Sequence, residues 1–300
     1  MPHKPLSLVA RGFLMGSADI VPGVSGGTVA LVTGIYEELI DTISLFAAVA
    51  GHLLKLDLVG ARERLREVRW LFILPLGAGI LTALVSLARA IEHLLDSQPV
   101  RMAGLFFGLV AGSVAAALPR VKQWDGMRVI VLIVVAVAAF FLLGFRASGV
   151  TDPPLWAYLL AGAIAICAMI LPGISGSFIL LMLGMYDLVL AAVNDRQLAT
   201  ILVFATGCAV GLMLFSQVLH WALHHHHDTV VAGLIGLMLG SLRVLWPWPE
   251  GTAGTSMTMP TGDVVGPIML AAAGFTVVAG FALVAFRLER ITEPVSRTTR

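Results

Sequence analysis

Long apolar runs separated by short charged clusters organise this chain. Residues 71–90, 129–145, 201–223 and 264–286 each form a continuous apolar stretch close to or beyond membrane-spanning length, without the alternation of a lipid-exposed barrel strand. The pattern predicts helical spans over 70–92, 101–118, 128–146, 198–223, 229–246 and 264–287. Two further apolar regions, 8–50 and 154–193, each contain a Pro-Gly break and are not assignable as single spans. Between the first of these and residue 70, "HLLKLDLVGARERLREVR" (52–69) reads as an amphipathic helix lying on the membrane surface.

The two broken regions are copies of one another. "DIVPGVSGGTVALVTGIYEEL" from Asp19 aligns without a gap on "MILPGISGSFILLMLGMYDLV" from Met169 at an offset of 150 residues. Ile20/Ile170, Pro22/Pro172, Gly23/Gly173, Ser25/Ser175, Gly26/Gly176, Leu31/Leu181, Gly34/Gly184 and Tyr36/Tyr186 are shared. A weaker echo at an offset of 128 pairs "GLVAGSVAAALP" (108–119) with "GLMLGSLRVLWP" (236–247).

Charge sets the orientation. Lys and Arg gather at Lys4/Arg11, at Lys55/Arg62/Arg64/Arg66/Arg69, at Arg120/Lys122/Arg128 and at Arg287/Arg290/Arg297/Arg300, whereas 247–262 contains neither. The positive-inside bias then puts both termini and the basic clusters in the cytoplasm, and 247–262 outside. For the intervening spans to alternate, each broken region must begin and end on one side, as a re-entrant hairpin or a pair of broken spans. An odd number of crossings then separates the copies. The expected fold is therefore an all-α polytopic membrane protein of two inverted repeats, 1–150 and 151–300, each a broken-helix region followed by three spans, together forming one transmembrane domain.

Composition agrees: 58% hydrophobic, 12% charged and a mean hydropathy of +0.94 over 300 residues exclude an ordinary soluble domain, where charged residues approach a quarter. A net charge of +1, dispersed in short clusters, gives no basic patch for nucleic acid. Cys167 and Cys208 lie inside apolar runs and read as small core residues. The N-terminal stretch lacks a convincing cleavage site and is expected to remain in the mature protein.

The candidate chemistry sits at the breaks. Pro22-Gly23 and Pro172-Gly173 interrupt apolar helices, and the freed backbone groups must be buried in protein or line a polar cavity. Ser25 and Ser175 are suited to cap helices restarting at Gly26 and Gly176, which would leave N–H groups and a positive helix end at membrane depth. Gly23, Gly26 and Gly27 permit close approach, and the hydroxyls of Ser25, Thr28, Ser175 and Ser177 complete a nest suited to an anion such as phosphate. The alternative is that small residues simply allow helices to pack closely, which explains "GLFFGLVAGS" from Gly104 well.

"RGFLMGSADIVPGVSGGTVALVTGIYEEL" (11–39), with the "LPGISGSF" copy and the "AGLFFGLVAGS" stretch, resembles the signature of the polyprenyl-phosphate transporter family, first catalogued as domain of unknown function 368. The resemblance covers nearly the whole chain. It implies a bacterial inner-membrane transporter, not an enzyme, that returns undecaprenyl phosphate from the outer to the cytoplasmic leaflet without a cofactor. Which residues touch the phosphate rests on the helix breaks, not on the resemblance.

A lipid monophosphate carries about −1.5 to −2 charges, and moving it inward costs about 2.3 kcal/mol per charge per 100 mV of inside-negative potential. Proton co-transport would offset this. Arg11, Asp19, Glu37, Glu38, Asp41 and Asp187 are the ionisable groups available for coupling or gating; Asp19 either serves that role or pairs structurally with Arg11. Glu37 and Asp187 occupy equivalent repeat positions, and an interfacial role stands beside the gating one. Arg101 and Arg243, expected near the outer face, are candidates for attracting the headgroup; Arg89 and Arg146 read as interface anchors. The run His224 to His227 reads as a polar cytoplasmic turn rather than a metal site, since four adjacent histidines cannot all face one ion.

A membrane lipid pyrophosphate phosphatase is the rival reading. "PGVSGGTVA" places Gly26 and Gly27 where its "PGxSRSxxT" loop has arginine and serine, and neither copy contains a histidine, which argues against hydrolysis. Transport of another anionic lipid or a small organic anion is compatible with the residues alone.

Overall fold

The computed structural model describes residues 5–20, 24–145, 152–249, 251 and 257–292, and the regular structure among them is helical. In chain order the helices are α1 (Pro5–Asp19), α2 (Gly26–Thr33), α3 (Tyr36–Leu54), α4 (Leu58–Glu67), α5 (Trp70–Ser97), α6 (Pro99–Ala117), α7 (Gly126–Leu142), α8 (Leu155–Ile170), α9 (Gly176–Met182), α10 (Tyr186–Asn194), α11 (Leu198–Ser241) and α12 (Val265–Thr292), with a single 3-10 turn at Leu118–Arg120.

The distribution of polar groups is that of a protein dissolved in lipid. Large apolar side chains face outward, as with Val85 on α5 and Val277 on α12, 86% and 66% exposed, while Ser25, Thr28, Thr42, Ser216 and Ser241 are buried. Among the described residues, three helices are long and apolar enough to cross a membrane, 70–97, 99–120 and α11; α7, α8 and the first part of α12 are shorter apolar helices. This is a multi-pass membrane protein.

Most expected spans appear with shifted ends. The spans 198–223 and 229–246 are the two helical parts of α11, separated at His226, whose φ of −135° and ψ of 41° break the helix much as Gln98 (φ −139°, ψ 51°) separates α5 from α6. The break falls inside the histidine run, where a polar connection is expected, although the run is helical on either side of it. The surface helix expected over 52–69 is shorter, α4 alone, started by the Asp57 carboxylate accepting from Gly60 N–H, while 52–54 extend α3.

Small residues decide how the helices meet. α1 packs on α5 and α8 on the first part of α11, while α6 packs on α12 and the second part of α11 on α7. At α1 and α5, Gly12 lies against the Leu76 carbonyl and Gly79 against the Val9 carbonyl. At α8 and α11, Gly162 lies against the Phe204 carbonyl and Gly207 against the Leu159 carbonyl, so both contacts recur at the offsets of 150 and 128 residues. A side chain at any of these four would meet backbone, leaving no room for the neighbour to yield. Likewise Gly108 and Gly112 approach α12 at Ala271 and Phe275, and their counterparts Gly236 and Gly240 approach α7 at Leu132 and Ala136. Each half of the chain thus lends its last helix to the other half.

The helix breaks and the site they form

The two Pro-Gly regions share a backbone frame. Gly34 and Gly184 both adopt left-handed conformations, with φ of 76° and 67°, and end the half-helices α2 and α9. The closing hydrogen bonds correspond one for one: Gly34 N–H to Leu31 O and Ile35 N–H to Ala30 O, then Gly184 N–H to Leu181 O and Met185 N–H to Leu180 O. After this turn α9 and α10 diverge by 109°. Pro22 and Gly23 lie outside the described residues, whereas Pro172 is fully buried and Gly173 adopts a φ of 87°.

At its start, α2 is not the open helix end that the sequence suggests. Ser25 accepts from Gly27 N–H at 3.0 Å as an N-cap, and its backbone carbonyl accepts from Thr28 N–H. Gly26 N–H donates at 2.6 Å to the Asp19 carboxylate at the end of α1. The first-turn donors are occupied, with a carboxylate where the positive dipole end attracts one. Asp19 is thus placed by a backbone N–H. A Cβ on Gly26 would lie 2.6 Å from the Asp19 carboxylate, so a side chain here would push that carboxylate off the helix end.

The copies touch through polar atoms buried between them. The Ser25 hydroxyl donates to Met169 O at 3.2 Å, Gly173 N–H donates to the Thr28 hydroxyl at 2.8 Å, and the Tyr36 hydroxyl donates to Ile170 O at 3.3 Å. A Cβ on Gly27 would sit 2.7 Å from the backbone carbonyl of Ile170, which leaves no room for a side chain at this position. Side chains of the first copy thereby take up backbone groups released by the break in the second. In the second copy Ser175 holds the N-cap position of α9 without capping it, its hydroxyl lying 2.7 Å from that of Ser177. Of the two serines expected to cap, one does.

Two cavities flank this assembly. One of about 330 Å³ runs between α1, α2, α6 and α12 and is walled mostly by carbon, including Leu14, Val24, Phe106 and Val278, with Thr28 in its lining. The other, about 250 Å³, lies at the opposite end of α2 and is polar, lined by Tyr36, Glu37, Arg120, Lys122 and His227 among others. There the Arg120 guanidinium donates to Val32 O at 2.7 Å, at the carbonyl end of α2, and His227 reaches Glu37 at 2.8 Å. Beside it Asp228 accepts from Lys122 and Gln123 N–H and meets His227, which holds its carboxyl down at about 2. Along the sequence Arg120 and Lys122 read only as orientation signals, and nothing local brings them to α2.

The remaining candidates are dispersed. Arg101 forms an ion pair with Asp263 at 2.6 Å, and Arg243 lies 4.7 Å from the centre of the Phe140 ring. The first belongs to the α6/α12 pair and the second to the α11/α7 pair. Asp187 is exposed at the start of α10. Arg11 lies part-buried on α1, and Arg146 lies outside the described residues.

Comparison with known proteins gives the same direction. A protein of Vibrio cholerae serotype O1 named polyprenyl-phosphate transporter is 44% identical over 246 residues, 82% of this chain and 79% of that protein. A protein of the same name from Staphylococcus aureus is 29% identical over 256 residues, 80% and 85% of the two chains. No solved structure matches. The family described as VCA0040-like, undecaprenyl phosphate translocase-like, matches residues 15–262, which contain both helix breaks, and the chain belongs to that family.

Proposed function

We propose that this protein translocates undecaprenyl phosphate, returning the carrier from the outer to the cytoplasmic leaflet of a bacterial inner membrane, with both termini cytoplasmic and with inward proton or ion flow offsetting the charge moved. The observation that carries the reading is the buried polar contact between the two helix breaks, beside an apolar cavity reaching Thr28. A polar break next to a carbon-lined space suits an anionic lipid, whose head and first isoprene units differ in the same way. A small organic anion has no use for the second half of that arrangement.

The matching glycine contacts support two repeats, 1–150 and 151–300, and the alternation of basic and non-basic connections supports their inversion across the membrane. In this arrangement the Asp19 carboxylate holds the start of α2 until a phosphate takes its place, since both seek the same N–H donors. The displaced carboxylate takes up a proton, which links phosphate entry to proton uptake and lowers the net charge moved. Ser25, Thr28, Ser175 and Ser177 supply hydroxyls around Gly26, Gly27 and Gly173. The basic cavity of Arg120 and Lys122 is the station on the cytoplasmic side, beyond the far end of α2. Its cations offset the negative carbonyl end of the helix and so keep that end open to phosphate.

The experiment is leaflet-resolved movement of undecaprenyl phosphate in proteoliposomes, with and without a pH gradient. Protein-dependent movement that Ser25→Ala with Ser175→Ala suppresses at least tenfold, in protein that still inserts, is the expected result. Movement unchanged in the double variant removes the serines from the site, and no movement under either condition removes the substrate.

A further inference from the structure

A second polar cluster, unused by the breaks, joins α3 to α11. His220 and His224 lie one turn apart on the same face of α11, and Asp41 of α3 faces them. His220 Nδ1 is 2.8 Å from Asp41 Oδ1 and His224 Nε2 is 4.0 Å from the same atom. One donor atom from each of the three residues falls within 4.8 Å of the others. His224 Nδ1 lies 3.0 Å from the His220 carbonyl. A carbonyl only accepts, so His224 Nδ1 carries the proton and Nε2 keeps its lone pair, the tautomer a metal-bound histidine needs; His220 Nδ1 donates to the Asp41 carboxylate, and an ion at the site would take the place of that proton.

Distances allow the same conclusion. In tetrahedral zinc coordination with bonds of about 2.0–2.1 Å, adjacent ligand atoms lie about 3.4 Å apart. The observed 2.8 and 4.0 Å fall on either side of that value, so an ion would draw one pair in and spread the other by about 0.6 Å each, within side-chain freedom at a half-exposed site. Asp41 and His220 also line a cavity of about 550 Å³ that gives access for an ion and room for water. Arg64 and Arg69 line it too, but each is paired with a carboxylate at 2.9 Å, Glu67 and Glu38 respectively, so their repulsion of a cation is largely compensated.

We propose that Asp41, His220 and His224 form a binding site for one divalent transition ion of the zinc type, with water as a further ligand, clamping α3 to α11 just before the kink at His226. Because α3 follows α2 directly, an ion held there ties the first helix break to a helix of the other half.

The test uses the full-length purified protein in detergent, titrated with zinc chloride by calorimetry and with cobalt(II) by visible absorption. One equivalent of zinc bound at micromolar or tighter affinity is expected, with cobalt bands of four-coordinate intensity. Asp41→Asn and His220→Ala should weaken binding at least 100-fold, while His225→Ala, in the same run but with its ring stacked on Trp221, should leave it within threefold. His224→Ala, at an exposed side chain, makes the same test if either of the first two variants fails to elute as folded protein. Absence of saturable binding, or equal loss in His225→Ala, would overturn the site and leave only the general affinity of a histidine run.

Discussion

The first helix break and the second share a backbone and differ in chemistry. Gly34 and Gly184 turn the chain in the same way, and Gly12 and Gly162 seat the preceding helices on backbone carbonyls 128 residues apart. Yet the repeat partner of Asp19 is Met169, that of Thr28 is Phe178 and that of Gly27 is Ser177. The first copy therefore brings a carboxylate and a set of donors and acceptors, and the second brings mostly backbone for them to meet. Duplication supplied the frame, and divergence made one half the polar partner of the other.

The packing half of this comparison is open to the largest perturbation. Gly12→Ala and Gly162→Ala each drive a methyl group into a backbone carbonyl, and each should cost about 1–3 kcal/mol of stability, by equal amounts if the contacts are equivalent. Thermal unfolding in detergent reads this directly; a large effect at one position alone would break the correspondence.

Next in size is the chemical asymmetry. Asp19→Asn should slow undecaprenyl phosphate movement at least tenfold, about 1.4 kcal/mol, and flatten its dependence on pH, while Met169→Leu should stay within twofold of the unaltered protein. An unchanged rate and pH profile for Asp19→Asn in proteoliposomes would remove this carboxylate from the mechanism.

A smaller difference is expected at the paired tyrosines. Tyr36→Phe removes the buried hydroxyl contact to Ile170 O and should cost about 1 kcal/mol, whereas Tyr186→Phe, at a half-buried position, should cost under about 0.5 kcal/mol. Unfolding midpoints of the two variants compare them.

The smallest effect concerns Asp228, which ties α11, just past its break at His226, to the connection between α6 and α7. Its folded carboxyl is held at about 2 against an ordinary 3.8, first by His227 and then by the Lys122 and Gln123 N–H groups and Arg128. A depressed acid stabilises the fold above its unfolded value, so this contribution is present above about pH 4 and is lost as pH falls toward 2. Melts between pH 5 and 2.5 should show a shallower acid limb in Asp228→Asn.

Much of this architecture is legible along the chain. The apolar runs give the helices, the Pro-Gly pairs give the breaks, and the glycines of the 108–119 stretch with their 128-residue echo anticipate the α6/α12 and α11/α7 contacts, whereas those of Gly12, Gly79, Gly162 and Gly207 emerge only from the packing. The connection between the two parts of α11 is legible too, since its break falls at His226, inside the polar histidine run. The occupation of the α2 start by Asp19 is not: Asp19 and Gly26 are seven positions apart, and nothing in the local pattern says that they meet. The sequence pattern therefore suggested free donors at both breaks, and the structure fills those of the first.

Hydrophobic periodicity and backbone-breaking residues act locally, through transfer into lipid and through φ and ψ, so the all-helical class, the two breaks and their duplication follow from the order of residues alone. Which polar groups satisfy one another is a matter of long-range geometry. Tyr36 with Ile170, Thr28 with Gly173, Asp41 with His220 and Arg120 with the end of α2 are each brought together from distant segments. In a lipid-exposed fold such pairings are set by where close-packed helices leave buried backbone in need of a partner, and that place exists only once the helices have packed.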